Sequence, residues 1–94
     1  MKMHNFEIDV LCDSRRSPVL IDTAVRAILE EFGQATQRYR PFASRQEAAA
    51  VLLKEVDEFW DEIKQNNAVG ARAEAIQIAA TALRFLVEVN SDGV

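Results

Sequence analysis

Three stretches of this 94-residue chain carry apolar side chains at intervals of three or four residues. The first of these stretches runs from Ile21 towards Tyr39. Such a spacing gathers apolar side chains on one face of an α-helix, whereas a β-strand would need strict alternation. Only three Gly and two Pro are present to interrupt helices. The sequence therefore predicts an all-α fold, a bundle of about three main helices.

Local signals place the ends of these helices. Ser17 followed by Pro18 is typical of a helix start, because proline at the first helical position loses no hydrogen bond. Ser44 and Glu47 have the spacing of a capping box, in which each side chain would accept from the backbone N–H of the other. The predicted helices run from Pro18 towards Tyr39, from about Arg45 to Gln65, and, after the turn at Asn66 to Gly70, from about Ala71 to Val89.

The chain length indicates one domain, which we place at residues 17–94. Residues 1–16 lie outside the helical pattern. Within them Phe6, Ile8 and Val10 alternate with polar neighbours, so this segment is either a short extended arm or a tail.

Composition excludes several classes of function. The net charge of −4 and the lack of a basic stripe argue against binding to nucleic acid or to an anionic membrane. No stretch reaches the roughly 18 to 20 apolar residues of a membrane span. Cys12 and His4 are the only residues of their types, which excludes an internal disulfide and a Cys-based zinc site and makes a His-centred triad improbable. We expect a cytoplasmic protein without a signal peptide.

The third predicted helix is apolar almost all the way round. Its polar residues form one stripe roughly 80° wide. Such a helix belongs in the middle of a bundle or against a second subunit, with only the stripe open to water or to a site. We therefore expect oligomerisation, as a homodimer or homotetramer, to complete the bundle. The stripe consists of Glu74, Gln77, Thr81, Arg84 and Glu88.

Acidic residues on the second predicted helix fall into two groups. Asp57 and Asp61 share a face with lysines and form ordinary solvated surface. Glu55, Glu58 and Glu62 instead form a line beside the apolar face, taken to be Leu52, Val56, Phe59 and Ile63, where a neighbouring helix can reach them. This line is either a second solvent face or, together with Glu74 from the next helix, a set of carboxylates that needs a divalent cation. Oxygen ligands of this kind suit Mg²⁺ or Mn²⁺.

The pairs Glu55-Val-Asp-Glu58 and Glu74-Ala-Ile-Gln77 resemble the E-x-x-E…E-x-x-D signature of MazG-like nucleoside triphosphate pyrophosphohydrolases, an all-α superfamily. The likeness covers roughly residues 21–86. It implies a Mg²⁺-dependent hydrolase that cleaves a nucleoside triphosphate between its α and β phosphates to give a nucleoside monophosphate and pyrophosphate.

The resemblance also implies roles for particular residues. Glu55, Glu58 and Glu74 match catalytic metal ligands, whereas Gln77 stands where the signature has Asp. An amide oxygen can bind Mg²⁺ but brings no negative charge and takes no proton from water. Glu62, one turn beyond Glu58, is a further candidate ligand that would restore the charge.

Three side chains are candidates for contact with the substrate, and each has an alternative reading. Arg84 lies on the Glu74/Gln77 stripe and either binds phosphate or pairs with Glu88 four residues on. Lys54 either binds substrate or belongs to the solvated surface. Trp60 either stacks on a base, as Phe42 also could, or packs in the core or an interface.

Two other functions stay open at this level. The chain could be a nucleotide-binding or regulatory helical module of the same fold, in which Gln77 has weakened or abolished hydrolysis. It could also be a purely structural helical oligomer. Dependence on a divalent metal separates the first two readings from the third, and product formation separates the enzyme from the binding module.

Overall fold

The computed structural model describes residues 14–90, which form three α-helices and a short 3₁₀ turn at Ser14–Arg16. Helix α1 spans Pro18–Arg38, α2 spans Arg45–Lys64 and α3 spans Ala68–Glu88. No strand occurs within residues 14–90, which confirms the all-α prediction. The proposed arm with Phe6, Ile8 and Val10 lies outside the described residues. None of the helices in the described part of the chain has both the length and the apolar character to cross a membrane.

The predicted starts of α1 and α2 are confirmed, but only half of the capping box forms. The Ser17 hydroxyl accepts from the Leu20 N–H at 3.2 Å, and the Ser44 hydroxyl accepts from the Glu47 N–H at 3.1 Å. The Glu47 carboxylate does not return to Ser44. It accepts from the Ala43 N–H at 3.3 Å instead. Arg40 holds it there through two hydrogen bonds of 2.9 and 3.2 Å.

The start of α3 lies three residues earlier than predicted, at Ala68. Asn67 is the reason, because its side chain accepts from the Gly70 N–H at 3.0 Å and so caps a helix that already includes Gly70. The turn itself is made by Asn66, whose φ of 56° is left-handed. A Cβ atom on Gly70 would overlap the carboxylate of Glu62, so glycine permits Glu62 to approach Asn67 closely.

Helix α3 packs against both α1 and α2, as its composition predicted. Small residues permit this close packing: Ala48 on α2 and Ala80 on α3 are each only 2% exposed, and Ala35 on α1 is also buried. The core that results is small, with Phe42, Ala48 and Val89 at its centre and Val51 against them. Burial of Phe42 contributes roughly 2–3 kcal/mol to this core.

The polar stripe of α3 faces the other two helices, and much of its apolar surface does not. Thr81 and Arg84 are 6% and 5% exposed, whereas Leu86 and Val87 are 75% and 64% exposed. The stripe is thus enclosed by protein and does not face bulk water. Helix α2 behaves similarly, because Val56 and Ile63, expected on its core side, are exposed. A single copy therefore turns polar groups inward and leaves apolar faces uncovered.

Helix α1 contributes to this uncovered surface as well. Every residue from 18 to 26 is exposed, so the rest of the described chain covers little of the first half of α1. Its apolar side chains add to the exposed apolar surface of the other helices. The most exposed large ones on the three helices include Val19, Leu29, Leu53, Trp60 and Val69. Uncovered apolar surface on this scale is typical of a subunit interface.

A buried ion pair fastens the loop between α1 and α2 to the end of α3. Arg84 donates to Glu88 at 2.9 and 3.1 Å and to the carbonyl of Arg40 at 3.2 Å, while Glu88 accepts from the Phe42 N–H at 2.9 Å. The guanidinium also stacks over the Phe42 ring, 4.1 Å from its centroid. Burial opposes ionisation of Glu88, but the hydrogen bonds from Arg84 and Phe42 and the charge of Arg84 outweigh it, so the pKa of Glu88 is lowered.

We predict that the protein is at least a dimer in solution, because residues 14–90 leave apolar faces on all three helices exposed. Light scattering at micromolar concentration should give a mass at least twice that of a single chain. A mass near 10.6 kDa, the value for one copy, would contradict this prediction.

Replacing Glu88 by Gln should destabilise the fold strongly. The variant leaves the buried Arg84 charge without its partner, which typically costs about 3–5 kcal/mol. Urea unfolding at matched protein concentrations measures the loss. The control is Asp22→Asn, which breaks the exposed pair with Arg26 and should cost less than about 1 kcal/mol. Equal losses in the two variants would argue against the buried pair as the main anchor.

Candidate functional site

A cavity of about 580 Å³ opens between the three helices below the α1–α2 loop. Its volume is in the range of small-molecule sites, roughly 300–1,000 Å³. Oxygen-bearing side chains from all three helices line it, among them Glu31, Glu55, Glu58 and Gln77. Four cationic side chains line it as well, namely Arg38, Arg40, Lys54 and Arg84. The cavity therefore offers ligands for a cation and partners for an anion within one space.

Glu55 is the acid of this cavity that α3 holds directly. The Thr81 hydroxyl lies 2.9 Å from each of its carboxylate oxygens and donates to them. Burial raises the pKa of Glu55, and the negative charges of Glu74 and Glu58 raise it further, while the hydrogen bond from Thr81 acts against this. Burial is the largest cause of the rise, and the contributions of Glu74 and Glu58 indicate that α2 and α3 bring carboxylates close together.

Glu74 lies next to this acid from the side of α3. Burial raises its pKa, and the neighbouring carboxyl group of Glu58 adds to the rise. The charge of Glu62 raises it as well. One carboxylate oxygen of Glu74, Oε2, is buried without a hydrogen-bond partner among residues 14–90. A buried oxygen of this kind normally has a partner, so it is a candidate ligand atom.

The residue types and the orphaned oxygen fit a divalent cation. The charge of Glu58 helps to raise the pKa of both Glu55 and Glu74, and a cation would relieve this repulsion. In residues 14–90 no three acidic, His or Cys side chains already stand at the separations that a bound ion requires. Binding an ion therefore requires some glutamate side chains to change rotamer.

Gln77 and Glu62, the two remaining predicted ligands, occupy different positions. Gln77 lines the cavity together with Glu55 and Glu58. Glu62 lies outside the cavity lining and accepts a hydrogen bond of 2.6 Å from Asn67 at the start of α3. Its charge reaches Glu74, but its side chain also belongs to the α2–α3 turn.

The three predicted substrate contacts also differ in their surroundings. Arg84 lines the cavity while held in its buried pair with Glu88, which was the alternative left open by its spacing. Lys54 lines the cavity with a side chain that is 78% exposed, 4.0 Å from Glu58. An exposed pair at this distance is worth at most about 1 kcal/mol, so Lys54 is free to move. Trp60 lies outside the cavity lining and is 56% exposed.

Glu31, Arg38 and Arg40 line the cavity, although none was singled out from the sequence. A signal for two of them was available. Glu31 and Arg38 stand four residues before and three residues after Ala35, the last apolar position of the α1 stripe, and so share its face. Arg40 lies in the loop, where helical spacing says nothing about direction.

Comparison of the chain with protein-family models, with curated proteins and with solved structures found no match. The MazG-like resemblance therefore depends on the residues of this chain alone.

We predict that Glu74→Gln raises the melting temperature at neutral pH without divalent ions, because it removes a crowded, partly buried charge. A carboxyl whose pKa is raised by folding lowers stability as pH increases from its unfolded pKa through its folded pKa. The difference between variant and wild type should therefore be small at acidic pH and grow across that window. A gain of about 1 kcal/mol would shift the melting temperature by roughly 4–8 °C.

The control for this prediction is Asp57→Asn, which removes a charge from the exposed face of α2 and should change the melting temperature little. Calorimetry or circular dichroism melts between pH 4 and pH 8 would serve. A Glu74→Gln variant that is less stable than wild type at every pH would contradict the assignment of Glu74 to a repulsive cluster.

Proposed function

We propose that the protein is a Mg²⁺-dependent nucleoside triphosphate pyrophosphohydrolase that cleaves between the α and β phosphates. The observation that carries the proposal is the meeting of Glu55, Glu58 and Glu74 beside a cavity that is also lined by cations. The resemblance of these positions to the MazG-like signature adds the reaction type. A cavity with both kinds of side chain suits a substrate that carries phosphates together with a metal ion.

Glu55, Glu58, Glu74 and Gln77 would hold the ion, with Mn²⁺ as a possible substitute for Mg²⁺. When bound, such an ion neutralises phosphate charge and activates a water molecule for attack on phosphorus. Thr81 orients Glu55 through its hydrogen bond, and burial by α3 keeps the carboxylates close. Because Glu55 and Glu74 have raised pKa values, metal binding would compete with protonation and weaken as the pH falls.

Gln77 supports an alternative within the same fold. It lines the cavity with a neutral amide where the signature has a carboxylate, so it cannot accept a proton from an attacking water. In this alternative the protein would be a regulatory module that binds nucleotide and metal but hydrolyses the nucleotide slowly. The cavity also contains Glu31, which could supply the missing charge from α1.

We also propose that the working form is a homodimer or homotetramer. The apolar faces of the three helices, which a single chain leaves exposed, support this assembly. A cytoplasmic location is part of the proposal, supported by the single cysteine and the acidic composition.

A panel of nucleoside triphosphates incubated with Mg²⁺ tests the proposed reaction. We expect release of pyrophosphate and a nucleoside monophosphate. Glu55→Gln should lower the rate by about 100-fold or more, since even outer-shell partners of a metal contribute roughly 10–100-fold. Gln77→Asp should raise both Mg²⁺ affinity and rate, because it restores a charged ligand.

Asp61→Asn, on the exposed face of α2, is the matched control and should leave the rate unchanged. If no triphosphate yields pyrophosphate with either wild type or Gln77→Asp, the enzyme reading fails. A thermal shift with Mg²⁺ and nucleotide would then decide whether the binding-module reading holds.

A further inference from the structure

We infer that Arg38, at the end of α1, binds the polyphosphate chain of the substrate, the role for which the sequence had suggested Arg84. The inference rests on the proposed function, because it concerns the substrate of the same cavity. It adds the helix α1, which carries none of the signature residues, to the binding site.

The two other arginines of the cavity already have carboxylate partners. Arg84 is committed to Glu88 in the buried pair, and Arg40 donates two hydrogen bonds to Glu47. Lys54 lies 4.0 Å from Glu58. Arg38 is exposed and lines the cavity. Its side chain has no hydrogen bond or ion pair to any residue in the described range 14–90. It is therefore the cavity arginine whose guanidinium is available to a ligand.

The backbone around the cavity does not replace this cation. Arg38 is in the last turn of α1, and Tyr39, which follows it, lies 5.8 Å from Arg84 near the end of α3. Two helix C-termini thus meet here, and their free carbonyl groups repel anions. The N-terminus of α2 also borders the cavity, but the Ser44 hydroxyl and the Glu47 carboxylate already accept from N–H groups there. A side-chain cation is needed for a phosphate to bind in this part of the cavity. A guanidinium suits that task because it can donate two parallel hydrogen bonds to one phosphate group.

The placement of Arg38 also indicates the class of ligand. Glu31, Ala35 and Arg38 follow one face of α1 along the cavity, and seven residues of helix separate Glu31 from Arg38 by about 10 Å. Ala35 between them is small and leaves room above the helix. An extended ligand with a metal ion among the glutamates and phosphates reaching towards Arg38 fits this length better than a single phosphate does.

The test is titration calorimetry with inorganic tripolyphosphate and Mg²⁺, a probe that carries no base or sugar. Arg38→Ala should weaken binding by about 10-fold or more, and Arg38→Lys should restore only part of it because lysine lacks the paired donors. The control is Arg26→Ala on the same helix, where Arg26 is exposed, paired with Asp22 and outside the cavity lining. It should bind within about twofold of wild type.

Steady-state kinetics with a triphosphate that the protein hydrolyses provide a second readout. We expect Arg38 to contact the substrate equally in the ground state and the transition state. Arg38→Ala should therefore raise KM and leave kcat nearly unchanged. Unchanged tripolyphosphate affinity in Arg38→Ala, an equal loss in Arg26→Ala, or no binding by wild type would each overturn the inference.

The binding assay separates this inference from the proposed reaction. Arg38-dependent binding of tripolyphosphate without pyrophosphate release from any nucleotide would support the role of Arg38 and refute the enzyme. Pyrophosphate release combined with wild-type affinity in Arg38→Ala would support the enzyme and refute the role of Arg38.

Discussion

The buried pair of Arg84 and Glu88 connects the α1–α2 loop to the end of α3. Arg84 reaches the Arg40 carbonyl and Glu88 reaches the Phe42 N–H, so one ion pair satisfies backbone groups of the α1–α2 loop. The loop in turn directs α1 along α3 and seats Phe42 in the small core. Because the apolar core of one chain is small, this ion pair contributes a larger share of the folding stability here than it would in a larger domain. Without this pair, the α1–α2 loop would lose its hydrogen bonds to α3.

That anchor also explains why the chain is arranged with polar groups inside. The residues that α3 turns towards its neighbours, Thr81 and Arg84 among them, meet Glu55 of α2 and the loop. The apolar residues of α3 such as Leu86 are consequently left at the surface. In the proposed assembly another copy would bury the remaining apolar surface, which would tie the assembly directly to the enclosed polar site. Stability and site geometry would then depend on the same interface.

The candidate site is itself a source of instability. Burial raises the pKa of Glu55 and of Glu74, and the charge of Glu58 adds to both rises. One oxygen of Glu74 is buried without a hydrogen-bond partner among the described residues. A cluster of this kind lowers the stability of the folded chain at neutral pH unless a cation neutralises it. Buried, mutually repelling charges of this kind are common where a protein has to bind a metal or an anionic substrate. The cations that line the same cavity, with the Arg38 side chain unpaired among the described residues, also suit a substrate that carries phosphates.

The sequence by itself determined the helices, because caps and periodicity act within a few residues of chain: Ser17, Ser44 and the stripe ending at Ala35 are local signals. It also placed Glu55 and Glu58 on one border of α2, since helical geometry follows from spacing alone. Only the tertiary structure decided that the polar stripe of α3 points inward, that Arg84 is taken by Glu88, and that Glu31 and Arg38 join the cavity. These outcomes depend on how helices rotate and pack against one another, and on the α1–α2 loop, for which a periodic pattern specifies no direction.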